Sequence, residues 1–381
     1  MGKYLKLFET DSDRIGYEDS ENYLEPYVSL VEGDNTVHYN KPPFFCKLTL
    51  SDDSEVIIEG SGELKVDMVS VYSATCVSAE IGTLCTIIGN YAFQRCSGLT
   101  SVTIPDSVTI IRSNAFQYCS GLTSVDIPSS ITSIADFAFQ YCNSLTRVTI
   151  GNGTIGSSAF AHCSALTSVI ISNGVTSIGG DAFRYCSSLT GVTIPDSVTN
   201  MSYSSAFEYC YGLTTVTIGS GVTSIGNYTF AECMDLTSVT IGTSVTSIGQ
   251  YAFEKCYDLT SITIPSSVTS IGNGTFQRCS GLTNVTIPDS VTNIGNNAFS
   301  SCSGLTSLTI GSGVTSIGER SFQYCGNLTS ITIEATNPPT LGTVPFVGTN
   351  DCPIYVPSES VEAYKSNSSW SLYTNRIQAI Q

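Results

Sequence analysis

Apolar positions recur along most of the chain with a period far longer than that of a helix. Cysteines stand at 96, 119, 142, 163, 186, 210, 233, 256, 279, 302 and 325, and eight of the ten intervals between them are 23 residues. The exceptions are 21 residues, from Cys142 to Cys163, and 24, from Cys186 to Cys210. A Phe precedes each of these cysteines by three positions and a Leu follows each by three. Within one unit Leu99, Val102 and Ile104 are apolar while Ser101 and Thr103 are polar. That alternation predicts a half-buried strand. The Pro105-Asp106-Ser107 that follows, or Gly219-Ser220-Gly221 in another copy, is turn chemistry. Val108 and Ile111 then predict a second extended piece facing inward, and residues 92–96 predict one helical or 3₁₀ turn.

A unit this short cannot bury its own apolar side, so neighbouring units must stack. The pattern therefore predicts a repeat solenoid of about eleven coils carrying a parallel β-sheet, with a degenerate half-coil at 77–89. With strands about 4.8 Å apart the sheet is roughly 50 Å long. Residues 1–76 fall outside the period. Segments 44–50 and 55–59 predict a hairpin around Ser51-Asp52-Asp53, with a further strand pair across Gly60-Ser61-Gly62. At the other end the repeat is expected to stop at Asn337-Pro338-Pro339, because proline cannot continue a ladder. A strand at 354–357, a short helix at 358–365 and Trp370, expected to seal the last coil, then form a cap. The expected organisation is a small β-rich attachment module and cap over residues 1–76, the solenoid over 77–335 and an α/β cap over 336–381.

Charge narrows the partners. Of the 381 residues 15 are basic and 32 acidic, a formal net charge of −17. Such a chain is repelled by phosphate backbones, so no nucleic-acid partner is expected. No apolar run approaches the roughly 18 residues of a membrane span, so membrane insertion is not expected either. The N-terminal stretch lacks the apolar core of a secretory signal peptide.

The residues that could carry chemistry resolve mostly into packing. Eleven of the 15 cysteines occupy one coil position. Equivalent Cβ atoms in a parallel ladder lie about 4.8 Å apart, farther than the roughly 3.8 Å a disulfide prefers, so these are expected to be buried thiols. The state of Cys46, Cys76, Cys85 and Cys352 stays open. No Cys-x-x-Cys pair provides zinc spacing. The two histidines, His38 and His162, lack a partner motif, and the glycines follow the coil period instead of forming a phosphate loop. No enzyme activity, metal or cofactor is expected.

Surface positions are more informative. The outward residues of the strands are mainly Ser and Thr, but Asp126, Arg147, Ile170 and Gly191 interrupt them on four consecutive coils. The residue just before the ladder cysteine is Tyr118, Tyr141, His162, Tyr185 and Tyr209 on five successive coils. Such a stripe could stack on sugar rings or anchor a protein, since tyrosine offers area at low entropic cost; packing of the rings against one another is the alternative. The candidate binding residues are Tyr118, Tyr141, His162, Tyr185, Tyr209, Asp126, Arg147 and Ile170.

The recurring I-P-x-S-V-T-x-I-G-x-x-A-F-x-x-C-x-x-L-T-S-V resembles the BspA-like, or Treponema pallidum-type, leucine-rich repeat family over about residues 77–335. The resemblance implies a right-handed leucine-rich-repeat solenoid, and typical members are bacterial surface or adhesion proteins. The ending is similar to the C-terminal cap of many Bacteroidales members. Separately, Lys3-Tyr4-Leu5-Lys6-Leu7-Phe8-Glu9-Thr10, Pro26-Tyr27-Val28-Ser29 and Asn35-Thr36-Val37-His38-Tyr39 are similar to openings of phage and prophage structural proteins of gut Bacteroidales. Together these lead to a non-enzymatic recognition or structural protein. The first expectation is a phage tail or appendage component, assembled in the bacterial cytoplasm, whose residues 1–76 join other virion proteins. The alternative is a bacterial cell-surface adhesin. Either would bind a host protein or surface glycan, and self-association into a homo-oligomer is compatible with both.

Overall fold

A computed structural model describes residues 45–201 and 203–381. The phage-like segment within residues 3–39, with His38, lies outside the described residues. The rest forms a parallel solenoid whose coils have three sides.

The first side is a ladder of strands such as Ser124–Ile127, on which Arg147–Ile155 lies in parallel with Val125 beside Val148 and Ile127 beside Ile150. Equal coil length brings like residues side by side, so the inward Val and Ile stay buried from rung to rung and the outward Ser and Thr stay in water. The second side is built from short strands such as Ile110–Ile111 and Ser133–Ile134, again parallel and in register.

The third side, residues 92–96 and their equivalents, keeps the three-residue bonds of the expected helical or 3₁₀ turn only at alternate positions. Ala92, Gln94 and Cys96 donate their N–H groups three residues back, to Gly89, Tyr91 and Phe93. Tyr91, Phe93 and Arg95 donate instead to Ser113, Ala115 and Gln117 of the next coil, at 2.7–3.1 Å. Alternate N–H groups thus close local turns and stitch coils together, which a helix could not do because its N–H groups are consumed internally.

Twelve phenylalanines, from Phe93 to Phe346, form the spine of the core, with adjacent ring centroids 5.0–5.6 Å apart. Fourteen rungs follow one another on the first side, from Cys76–Ile81 to Ile377–Ala379, against about eleven expected. The ladder runs past Asn337-Pro338-Pro339 because the prolines sit in a corner, between Ser330–Ile333 and Thr340–Leu341, where no rung N–H is needed. Ile354–Val356 and Ile377–Ala379 then add two rungs in parallel.

Both ends are covered. Cys46–Leu50 and Glu55–Ile58 form the expected hairpin, which lies antiparallel on Cys76–Ile81 and masks the sheet edge. Gly62–Leu64 does not make the expected pair across Gly60-Ser61-Gly62. It pairs in parallel with Cys85–Ile88 and opens the second ladder, which buries Leu64 completely. At the far end Trp370 is fully buried, tilted on Phe346 at 6.0 Å, and donates its indole N–H to the Pro339 carbonyl at 2.9 Å. Tyr364 donates its hydroxyl to the Ala335 carbonyl at 2.7 Å.

The two irregular spacings have local causes. Arg147–Ile155 runs unbroken from the first side to the second, two residues shorter than its neighbours at the corner, with register shifts against Ser168–Ile178. Gly153 makes this passage feasible: its φ is +86°, and an added Cβ would fall 2.2 Å from the Thr132 carbonyl oxygen. The 24-residue coil instead carries its extra residue between Met201 and Ser205, beside the exposed Tyr203.

Candidate binding site: an aromatic ridge on one corner

The residue before each ladder cysteine lies where the third side turns into the first. Tyr118, Tyr141, His162, Tyr185 and Tyr209 all have φ between 60° and 63°. That left-handed conformation costs a bulky residue of the order of 1–3 kcal/mol. It persists because each N–H is bonded to the next coil, Tyr118 to the Gln140 carbonyl at 2.9 Å and His162 to that of Arg184 at 2.7 Å. Phe and Cys of the same turn are meanwhile locked in the core, so the side chain just before the cysteine is forced to the surface.

Coil spacing then matches ring spacing. Successive centroids from Tyr118 to Tyr209 are 4.8, 4.4, 4.5 and 4.5 Å apart, with interplanar angles of 6–16°. Five of the expected site residues are therefore one continuous stack. This bears directly on the sugar-stacking expectation. Rings stacked face to face offer a ligand their edges and hydroxyl groups, while their interior faces are occupied. At one end Tyr211 meets Tyr209 edge-on at 6.0 Å. At the other the Arg95 guanidinium lies 5.8 Å from the Tyr118 centroid.

Burial by its ring neighbours and the nearby Arg184 cation both hold His162 below its ordinary pKa. Arg184 lies 5.0 Å from the Tyr185 centroid and 5.2 Å from that of Tyr209, with its Nε 2.8 Å from a Glu208 carboxylate oxygen. A glutamine ladder runs beside the first coils, Gln94 donating to Gln117 and Gln117 to Gln140 at 2.7 Å. Arg95 and Arg184 were not among the expected residues. Arg95 occupies the same coil position as the tyrosines one coil earlier, and Arg184 replaces the glutamine of that ladder, so aligning the coils reveals both.

The other three expected residues lie on the first side. Asp126, Thr149 and Ile170 share one column across three rungs, and Arg147 stands in the neighbouring column between Ser124 and Ser168. Ile170 is 56% exposed. The site thus divides into a stacked corner ridge and an open strand face.

All 15 cysteines are free and buried, including the four whose state was open. Among the described residues no cluster of His, Cys, Asp and Glu could hold a metal ion, and no helix is long and apolar enough to cross a membrane.

Stacked short coils, a strand ladder on one side and a buried Phe-Leu spine define a leucine-rich-repeat solenoid, a class that serves in general as a non-enzymatic scaffold for binding. The chain belongs to the BspA type leucine rich repeat family, whose model matches residues 70–154, 153–283 and 246–367. A leucine-rich repeat protein from Bacteroides ovatus is 25% identical, with a TM-score of 0.53 over 100% of this chain and 99% of that one. A leucine rich cell surface protein from Faecalibacterium prausnitzii is 28% identical, with a TM-score of 0.43 over 79% of this chain and 95% of that one. The Treponema pallidum leucine rich repeat protein is 29% identical, with a TM-score of 0.36 over 43% of this chain and 72% of that one. No curated protein matches the chain. Neither the family match nor these three structures brings a phage protein with it.

Proposed function

We propose that the protein is a bacterial cell-surface recognition protein that binds a host protein or glycan through coils carrying the aromatic ridge and the Asp126, Arg147 and Ile170 strand face. One observation carries this reading: five aromatic rings are held in a single stack beside a strand face whose outward residues are largely Ser and Thr. Uniform hydroxyl ladders give little discrimination, whereas ordered aromatic and arginine side chains are the usual anchors of recognition. Family membership supports the surface setting, since the family's typical members are surface or adhesion proteins. The virion setting rests on the resemblance of residues 3–39 alone, so the surface setting is preferred.

The test is binding of the full chain to mucin-coated and epithelial surfaces. Alanine at Tyr141, Arg147 and Tyr185 together is expected to abolish binding while a single cooperative unfolding transition is retained. Full binding by the folded triple variant would reject this surface. Incorporation of the chain into phage particles, lost on deleting residues 1–76, would restore the virion reading.

A further inference from the structure

The stack of rings stops at Tyr118, beside a groove. Each interior face is covered by a neighbouring ring, and at the other end Tyr211 packs edge-on to Tyr209 while Arg184 flanks both Tyr185 and Tyr209. Tyr118 is 40% exposed and carries the Arg95 guanidinium over its ring. In front of it runs a groove of about 570 Å³ lined by Arg95, Ser97, Tyr118, Ser120, Tyr141 and Asn143. These are two residues from each of three consecutive coils, so the groove extends about 10 Å along the solenoid.

Its chemistry is one-sided. The lining supplies a guanidinium, four hydroxyl groups and a carboxamide, and contains neither a carboxylate nor an aliphatic side chain. Among the described residues no carboxylate lies within ion-pair distance of Arg95, whereas Arg184 is held by Glu208 and Lys255 by Glu232. In a chain of net charge −17, a groove whose one charge is an uncompensated arginine selects an anion. Tyrosine and arginine also anchor peptides, but this lining offers no aliphatic side chain against which a peptide's apolar residues could be buried. A row of hydroxyl and amide groups beside the fixed edges of Tyr118 and Tyr141 suits a polyhydroxylated ring.

We propose that this groove binds an acidic saccharide, a pyranose bearing a carboxylate, with the carboxylate paired to Arg95 and the sugar ring seated against the exposed edges of Tyr118 and Tyr141. Ser97, Ser120, Tyr141 and Asn143 line the groove for its hydroxyl groups. Arginine meets a carboxylate in bidentate fashion, and Tyr118 is already ordered by its stack on Tyr141, so little further ordering is required on binding. The proposal rests on the recognition function above and specifies its ligand.

Calorimetric titration of the full chain with sialyllactose and with a glucuronate-containing disaccharide tests it, beside their carboxyl-reduced counterparts and an acidic peptide. At least one acidic sugar is expected to bind, with carboxyl reduction, Arg95→Gln and Tyr118→Ala each weakening it about tenfold or more. Tyr118→Phe keeps the ring and is expected to retain binding. The Arg95→Gln variant should unfold at the wild-type temperature, because Arg95 is exposed. Equal binding of the reduced sugars, unchanged binding by Arg95→Gln, preference for the acidic peptide, or binding of neither acidic sugar would overturn the proposal. If wild type and Arg95→Gln adhere equally to mucin and cells, the saccharide site fails and the recognition function stands; if the wild type adheres to neither, that function fails as well.

Discussion

The thiol of Cys142 donates to the main-chain carbonyl of Phe116, one coil earlier, at 3.3 Å. That carbonyl already accepts the Cys119 N–H at 3.1 Å. The contact recurs from Cys119 to Cys325, so each cysteine after the first ties its coil to the one before. A small, soft donor fits a gap that a larger apolar side chain would overfill.

Buried thiols bonded in this way should resist reagents. Labelling of the native protein is expected to reach few of the 11 ladder cysteines, while denatured protein without reductant should label nearly all of them. Disulfide-linked ladder peptides in a non-reducing mass map would contradict the assignment.

The same burial predicts alkaline lability. Desolvation pushes the Cys163 and Cys210 thiols up to about 12, above the roughly 8.5 of an exposed thiol. A pKa raised on folding favours the native state fully below the unfolded value, and that advantage is lost as pH climbs toward the folded value. Above pH 8.5 each such thiol removes about 1.4 kcal/mol per pH unit. The urea midpoint is expected to fall steeply between pH 8.5 and 10.5, and less steeply in Cys163→Ala/Cys210→Ala. Identical pH slopes for the two proteins would contradict the prediction.

Phe230 is fully buried, with ring centroids 5.5 Å from Phe207 and 5.4 Å from Phe253. Phe230→Ala is expected to cost about 3–5 kcal/mol, the usual loss for a core aromatic. Thr240 is exposed, and Thr240→Ser should cost under about 0.5 kcal/mol. Denaturant titration separates the two; equal effects would contradict the assignment of inward and outward faces.

His162 offers a direct reading of the ridge. Burial in the stack and, after it, the Arg184 charge lower its pKa. With two histidines in the chain, NMR titration should assign one pKa below the ordinary 6.5, rising toward it in Arg184→Gln. Because the value is lowered on folding, this group's contribution to stability is present above pH 6.5 and declines as pH falls below it. An unshifted value in the wild type would argue against the stack.

The coil period, the inward Phe, Cys and Leu and the tyrosine column were legible because each coil repeats the same burial problem at the same positions. Copies such as 261–283 and 284–306 keep the inward Phe, Cys and Leu while exposed sites such as 261/284 and 266/289 change, so the repeat itself helps to separate packing from surface. The strand at 354–356 was legible, but not that it and Ile377–Ala379 continue the ladder: Thr349 stands where the ladder would place a cysteine, three residues after Phe346, and hydrogen-bonds that phenylalanine's carbonyl at 2.7 Å. Nor was the division of labour at residues 92–96, where local turn bonds alone would look helical and only the next coil claims the alternate N–H groups.

The sequence by itself thus determined which side chains face the core, because burial of a periodic apolar pattern has one solution in a stacked coil. Tertiary structure decided what the outward residues can do. Tyr118 and Tyr141 are 23 residues apart in the chain and 4.8 Å apart in space. Only the coil spacing, set by main-chain hydrogen bonds between coils, brings their rings face to face and leaves the outer face of Tyr118 beside Arg95.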